Sequence, residues 1–349
     1  MIKLVITIYD IAEKAGVSAM TVSRVINNTG RISEDTRKRV RKVMEELNYI
    51  PNSAARSLVS QKTNILSLLI ADITNPFYTT LARGAEDAAK KAGYRLLFAN
   101  SDENYAKEKD YVDMMLSTRV DGVLFAPTGD LSVDNLNRLL QHQIPLVILD
   151  REVPGIEADI VLGDSKEGAK TLVEHLVSLG HRRIAMINGS PDVSTARLRY
   201  TGYREALVLS GLPMDDELVV HLGFRVFHED AALDALLTLK DPPTAIFAAN
   251  NLLAVGIIQS LRERGLQVPE DISVACFDDI GPAEMINPFL TVAAQPAYQF
   301  GLLGMQLLIE RIEAEAAQPP RKIMLPSDLI IRSSTRELQR KETNDGAEG

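Results

Sequence analysis

Apolar positions along this chain follow two periods. Over the first fifty residues they recur at helical spacing: Ile8, Ile11, Ala12 and Ala15 form one stripe, Val22, Val25 and Ile26 a second, and Val40, Val43, Met44 and Leu47 a third. Thr7 with Asp10 three residues on is a capping-box start. Gly16 supplies a left-handed stop, and Ser18 and Ser33 are N-caps for the second and third helices. Two short helices joined by a glycine-containing turn predict a helix-turn-helix, whose second helix reads the DNA major groove. The phase of that helix leaves Ala19, Met20, Thr21, Ser23 and Arg24 on or near its outward side. Arg37, Lys38, Arg39, Arg41 and Lys42 crowd the other sides of the third helix. After Pro51, residues 52–58 read as one more short helical segment capped by Asn52, with too little apolar surface to stand alone. Leu58 has no core to enter there.

From Thr63 the period changes. Short apolar runs (65–70, 95–100, 122–126, 146–149, 160–162, 184–187, 245–248 and 273–277) alternate with longer amphipathic helices. That alternation predicts parallel sheets covered on both faces. So long a stretch exceeds one sheet core, so two lobes are expected.

Charge refines this picture. The chain carries −9 overall, yet residues 1–62 hold eleven Lys and Arg against six Asp and Glu. A basic N-terminal module on an acidic body is the electrostatic footprint of a DNA-binding head. Cys276, the single cysteine, sits in an apolar run and reads as a buried small hydrophobe, which rules out an intramolecular disulfide. No apolar run approaches transmembrane length, and Met1–Ile6 is too short for a signal sequence, so a cytoplasmic protein is expected. The sequence holds no Gly-x-Ser-x-Gly elbow and no P-loop, and His142, His175, His181, His221 and His228 lack metal-ligand spacing. Neither an enzyme nor a cofactor or metal site is expected.

Ligands of open parallel sheets bind beyond the carboxyl ends of the strands. Here those ends carry Asp72 and Asn75-Pro76-Phe77-Tyr78, Ser101-Asp102, Asp150-Arg151, Asn188-Gly189-Ser190, Asn250-Asn251 and Asp278-Asp279. Taken singly these are ordinary: Asn-Pro is a common turn dipeptide, and Asp150 beside Arg151 reads as a weak local ion pair. Taken together they suit a polyhydroxylated ligand, with carboxylates accepting from hydroxyls, Asn and Arg donating, and aromatic faces covering C–H surface.

The opening T-I-Y-D-I-A, the turn A-G-V-S, the run T-V-S-R-V-I-N and the L-N-Y-x-P-N entry to residues 52–58 closely resemble the LacI/GalR family of bacterial transcription regulators, and the resemblance runs to about residue 335. It implies an all-α helix-turn-helix headpiece (1–51), a hinge helix and linker (52–62), an α/β two-lobed periplasmic-binding-protein-like domain (63–336) crossed near 162, 291 and 325, and a tail (337–349) that its composition marks as disordered. It carries DNA contact to Thr7, Tyr9, Ser18, Ala19, Met20, Thr21, Ser23, Arg24, Asn27 and Arg31, and in the hinge to Asn52, Ala55, Arg56 and Leu58. It carries effector contact to Asn75, Phe77, Tyr78, Asp102, Asp150, Arg151, Arg199, Phe224, Asn250, Asp278 and Gln295, a set similar to ribose-type sugar-binding lobes. Around Phe224 the run Gly223-Phe224-Arg225-Val226-Phe227 departs from the usual motif, and Phe227 is an alternative. The implied function is a homodimeric repressor of sugar-utilisation genes that binds a near-palindromic double-stranded operator and answers to a monosaccharide. The missing C-terminal apolar heptad argues against a tetramer. A purine, a phosphorylated carrier protein, or a transport-linked sugar-binding role are the alternatives.

Overall fold

The computed structural model describes residues 6–49, 62–224, 230–281, 287–316 and 318–338. The chain divides into two compact units, one ending at Thr63 and the other starting at Asn64.

The first unit contains α1 (Ile8–Ala15), α2 (Ala19–Ile26) and α3 (Glu34–Glu46). The backbone N–H and hydroxyl of Thr7 both donate to Asp10 Oδ2 at 2.7 Å, which closes the start of α1. Gly16 ends it at φ 62°, a left-handed conformation that costs glycine nothing. Ser18 Oγ accepts from Thr21 N–H at 3.2 Å and Ser33 Oγ from Thr36 N–H at 3.3 Å, so each later helix begins on its serine. Ile11, Val22, Val25, Val40 and Val43 meet in one small core. Burying each such side chain is worth roughly 1.5–3 kcal/mol, enough to hold three short helices that would melt alone.

The second unit contains two six-stranded sheets. The first lobe is built from β1 (Ile65–Ile70), β2 (Arg95–Asn100), β3 (Gly122–Phe125), β4 (Leu146–Leu149), β5 (Asp159–Gly163) and β11 (Lys322–Leu325), in the order β11-β5-β4-β3-β1-β2 and all parallel. The second has β6 (Ile184–Asn188), β7 (Val219–His221), β8 (Ala245–Ala248), β9 (Ser273–Phe277), β10 (Thr291–Ala294) and β12 (Asp328–Ile330), in the order β12-β10-β9-β8-β6-β7, with only β12 antiparallel. Central strands such as β3, β4, β8 and β9 are buried along their whole length, as parallel strands covered by helices must be.

The helices that position the site are α4 (Pro76–Lys91), α5 (Tyr105–Thr118), α6 (Val133–Gln141), α7 (Ser165–Ser178), α8 (Ser194–Leu209), α9 (Asp230–Leu237), α10 (Asn251–Glu263) and α11 (Ala297–Glu313). The chain passes between lobes just after β5, between β10 and α11, and between β11 and β12. The second passage comes after Ala294, because Thr291 lies inside a strand of the second lobe; the expected crossing at 291 is therefore shifted by one short strand. Helix α11 returns to the first lobe and packs on α4 so closely that a Cβ on Gly301 would lie 1.8 Å from Leu81 O, and one on Gly84 2.1 Å from Tyr298 O. Only glycine permits that approach.

Candidate effector site and DNA-facing helix

The carboxyl ends of both sheets converge on one cavity. From the first lobe it is lined by Asp72, Asn75, Phe77, Tyr78, Glu103, Asp150 and Arg151, and from the second by Thr195, Arg199, Phe224, Asn250, Leu252 and Asp278. The free space inside is about 20 Å³, room for roughly one water molecule.

Their partners explain why they stay there. Arg151 donates through both Nη atoms to the two carboxylate oxygens of Glu103 at 2.6 Å, and its Nη1 also reaches Pro127 O and Thr128 O. Its guanidinium lies 5.5 Å from the Phe224 ring centroid. Burial alone would lower the Arg151 pKa; Glu103, Tyr78 and Asp150 outweigh it and raise the value. Across the cleft Arg199 donates to Ala249 O at 2.6 Å, sits 3.8 Å over the Phe277 ring and approaches Asp278 Oδ2 at 3.5 Å. Burial lowers the Arg199 pKa, opposed by Asp278 and Asp150. Burial also lifts Asp278 to about 6, against the lowering effect of Arg199 and of Gln295, whose Nε2 donates to Asp278 Oδ1 at 2.8 Å. Tyr78 donates its hydroxyl to Asp150 Oδ2 at 2.9 Å.

Two amides do structural work as well. Asn75 Oδ1 caps α4 through Phe77 N–H at 3.0 Å and accepts from Asn251 Nδ2 of the other lobe at 3.1 Å. Asn250 Oδ1 caps α10 through Leu253 N–H at 2.8 Å while its Nδ2 holds Phe224 O. Among the described residues, Arg151 Nε, Arg199 Nε, Asn251 Oδ1 and Gln295 Oε1 are buried around the cleft without a hydrogen-bond partner. Each such group costs about 1–3 kcal/mol while unmet. The arrangement is that of a cavity with donors and acceptors in place for a small polar molecule.

The structure brings Asn75, Phe77, Tyr78, Asp150, Arg151, Arg199, Phe224, Asn250 and Asp278 to the cavity lining. Asp102 is a correction. It turns away to pair with Lys107 and to accept from Asn100 Nδ2 at 2.8 Å, and its neighbour Glu103 enters instead. Both residues have φ of 54°, so the strand's alternation no longer dictates which side chain points inward. Gln295 stands one step back: it touches Asp278 rather than lining the cavity, and its amide oxygen occupies the space a side chain on Gly163 would need. Thr195 and Leu252 carried no signal beyond their position after a strand. Phe227 and His228 fall outside the described residues.

In the headpiece, Met20 and Tyr9 are 64% and 71% exposed, and Thr7, Ser18, Arg24 and Arg31 are exposed too. Ala19 is half-buried and packs on the small core, so it presents less apolar surface outward than its phase suggested. Thr21, Ser23 and Asn27 are half-buried; the Thr21 hydroxyl lies 2.9 Å from Ser18 Oγ and Asn27 Nδ2 donates to Ser23 Oγ. The hinge residues Asn52, Ala55, Arg56 and Leu58 fall outside the described residues.

His175 and His181 are tied to the C-terminal segment. His175 Nε2 lies 3.1 Å from Thr335 Oγ1 and His181 Nε2 3.2 Å from Arg336 O, and burial lowers both pKa values. Among the described residues there is no cluster of His, Cys, Asp and Glu able to hold a metal ion, and no helix is long and apolar enough to cross a membrane.

Comparison with known proteins agrees with both units. Residues 7–52 match the family described as bacterial regulatory proteins, lacI family, and residues 173–335 match the periplasmic binding protein-like domain. The HTH-type transcriptional regulator DegA of Bacillus subtilis is 39% identical over 95% of this chain and 98% of its own length. Among solved structures, the lac repressor dimer bound to operator and an anti-inducer is 27% identical with a TM-score of 0.80, covering 95% of this chain and 99% of that one. A LacI family transcriptional regulator from Enterococcus faecium with bound ribose is 30% identical with a TM-score of 0.69, covering 79% of this chain and 100% of that one.

Proposed function

The chain belongs to the LacI family of bacterial regulatory proteins and is a DNA-binding transcriptional regulator, and from that premise we propose that it is a cytoplasmic, homodimeric repressor of sugar-utilisation genes. Its effector is a small sugar held between the lobes, and sugar binding alters operator affinity. No catalytic role is assigned to it. The observation that carries this reading is the convergence of Asp150 and Arg151 from one lobe with Arg199, Asn250 and Asp278 from the other on one cavity. Carboxylates, an amide and two guanidinium groups are the donor and acceptor set that recognises vicinal hydroxyls.

The lobes already touch in this structure. Asn251 reaches Asn75, Glu152 N–H donates to Ser194 Oγ at 2.9 Å, and Asp130 N–H donates to Asp192 O at 3.0 Å. A sugar entering this cavity must therefore open the cleft, exchange some internal pairs for its own hydroxyls, and leave the lobes at a different angle. In a two-fold dimer that angle sets the spacing of the two headpieces, and so couples sugar to operator. The coupling must be reciprocal.

The test is titration of the full chain with a panel of pentoses, hexoses and purines, with and without saturating operator DNA. A sugar that binds, with an affinity that differs between the two conditions, supports the proposal. Binding of a purine and no sugar would move the chain to the purine-responsive alternative. Equal sugar affinity with and without operator would show that this cleft does not control the headpiece.

A further inference from the structure

Resting on the sugar reading above, we infer that Glu103 sets the charge class of the effector: it makes this cavity accept neutral polyols and refuse phosphorylated or otherwise anionic ones.

The geometry is specific. Glu103 follows β2 in a turn fixed by its own N–H, which donates to Ala71 O at 2.8 Å. Its carboxylate fills both Nη positions of Arg151 at 2.6 Å. That planar fork is the group best matched to a phosphate or carboxylate ligand, and here it is already occupied from within. The other guanidinium of the cavity, Arg199, faces Asp278 at 3.5 Å. The inner cavity thus sets the carboxylates of Asp72, Glu103, Asp150 and Asp278 against two guanidinium groups.

The adjoining space has the same sign. Glu103 and Phe224 also line a second space of about 230 Å³ at the rim, whose other walls include Tyr105, Leu131, Asp130 and Asp192. Among the described residues no cation lines it. Arg197, close by, is held by Asp130 through two bonds of 2.9 and 3.0 Å. An anion would pass carboxylates at the rim and then meet the Nη pair of Arg151 already taken by Glu103, in a poorly solvated space where like charges repel strongly. A neutral sugar meets no such barrier: its hydroxyls can donate to Glu103 and Asp150 and accept from Arg151 Nε, which faces Asp150 Oδ2 at 3.6 Å without a hydrogen bond.

The experiment is calorimetric titration of the full chain with ribose, glucose, ribose 5-phosphate and glucose 6-phosphate, in the wild type, Glu103→Gln and Glu103→Ala. The wild type should bind whichever neutral sugar it prefers about 100-fold more tightly than the matching phosphate. Glu103→Gln, which keeps shape and removes charge, should shrink that ratio by about tenfold or more. In a parallel melting series, inorganic phosphate should raise the Tm of Glu103→Ala, whose Arg151 fork is open, and leave the wild type unmoved. A wild type that binds a sugar phosphate as well as the parent sugar would overturn the inference, as would an unchanged ratio in both folded variants. If the wild type binds none of these four ligands and no sugar of the wider panel, the sugar reading is at fault. The phosphate melting series then decides the role of Glu103 alone, and equal shifts in wild type and Glu103→Ala would overturn it.

Discussion

Arg197 of the second lobe grips Asp130 of the first through both Nη atoms, at 2.9 and 3.0 Å, while Arg199, two residues further along α8, is buried in the cavity against Asp278. A step of two residues turns a helix by about 200°, so one arginine serves the rim and the other the interior. The rim pair is well over a third exposed on both sides, and such pairs contribute about 0.2–1 kcal/mol. Arg197→Ala should therefore loosen closure without removing the ligand's partners. The expected outcome is a small rise in the radius of gyration of the ligand-free protein by X-ray scattering, and a change in effector affinity of no more than about fivefold. A loss of a hundredfold would make Arg197, and not Arg199, the ligand contact.

Arg199→Ala should behave differently. The side chain is buried and leaves Asp278 held by Gln295 alone, together with the ligand hydroxyls it would have met. Unmet groups cost about 1–3 kcal/mol each, which predicts effector binding weaker by at least about tenfold. Operator binding in the absence of effector should persist, because the headpiece core shares no residue with this cavity. Gel-shift titration with and without effector separates the two effects. Normal effector affinity in this variant would remove Arg199 from the site.

Effector binding should release protons near pH 6. Burial holds the Asp278 pKa at about 6, above the 3.8 of an exposed carboxyl, with Arg199 and Gln295 pulling the other way. The sign follows from that elevation. The group favours the folded state at pH values below 3.8, and this contribution is lost as pH rises through 6. Sugar hydroxyls donate to the ionised form, so binding lowers the pKa and expels part of a proton; affinity weakens as pH falls below 6. Calorimetry at pH 6 in two buffers of different ionisation heat should reveal the release, and at pH 8 it should vanish. Asp278→Asn should abolish it. Proton uptake by the wild type would mean that the carboxyl binds the ligand protonated.

These residues were legible in the sequence to different degrees, for physical reasons. Asp150, Arg151, Asn250 and Asp278 follow buried apolar strands directly, and a parallel sheet places such residues at its ligand edge whatever the detail of the loops. Glu103 was missed in favour of Asp102 because both lie in a left-handed turn, where neither the period of two nor that of 3.6 assigns a direction. The strands β7, β10, β11 and β12 escaped because they lie at or next to sheet edges, are three or four residues long and include half-exposed positions, so no continuous apolar run announces them. The headpiece was the clearest part: its caps and stripes agree at every helix, and Val22 and Val25 point inward as their phase requires. Ala19 is the exception, being small enough to be drawn onto the core from the first turn.

The last prediction concerns how Arg24 is aimed. Its aliphatic stem runs over Gly30, so close that a Cβ there would lie 3.3 Å from Arg24 Cδ, and Gly30 itself has φ of 72°. The glycine therefore does two things: it permits a left-handed turn after α2 and it gives the arginine a flat surface along which to extend. An arginine held this way is prepared to meet a guanine edge with its fork, which requires a fixed direction, whereas a phosphate contact tolerates a mobile side chain. Arg24→Ala should cost roughly 1–3 kcal/mol at one base-pair position and relax preference there, leaving the others unchanged. Gly30→Ala, which keeps the arginine but strains the turn and displaces the stem, should weaken operator binding and blur preference at the same position. The check is a binding series against operators substituted one base pair at a time, run with the wild type and both variants. Uniform weakening across every operator in Arg24→Ala, with no position singled out, would make Arg24 a backbone contact and Gly30 merely a turn residue.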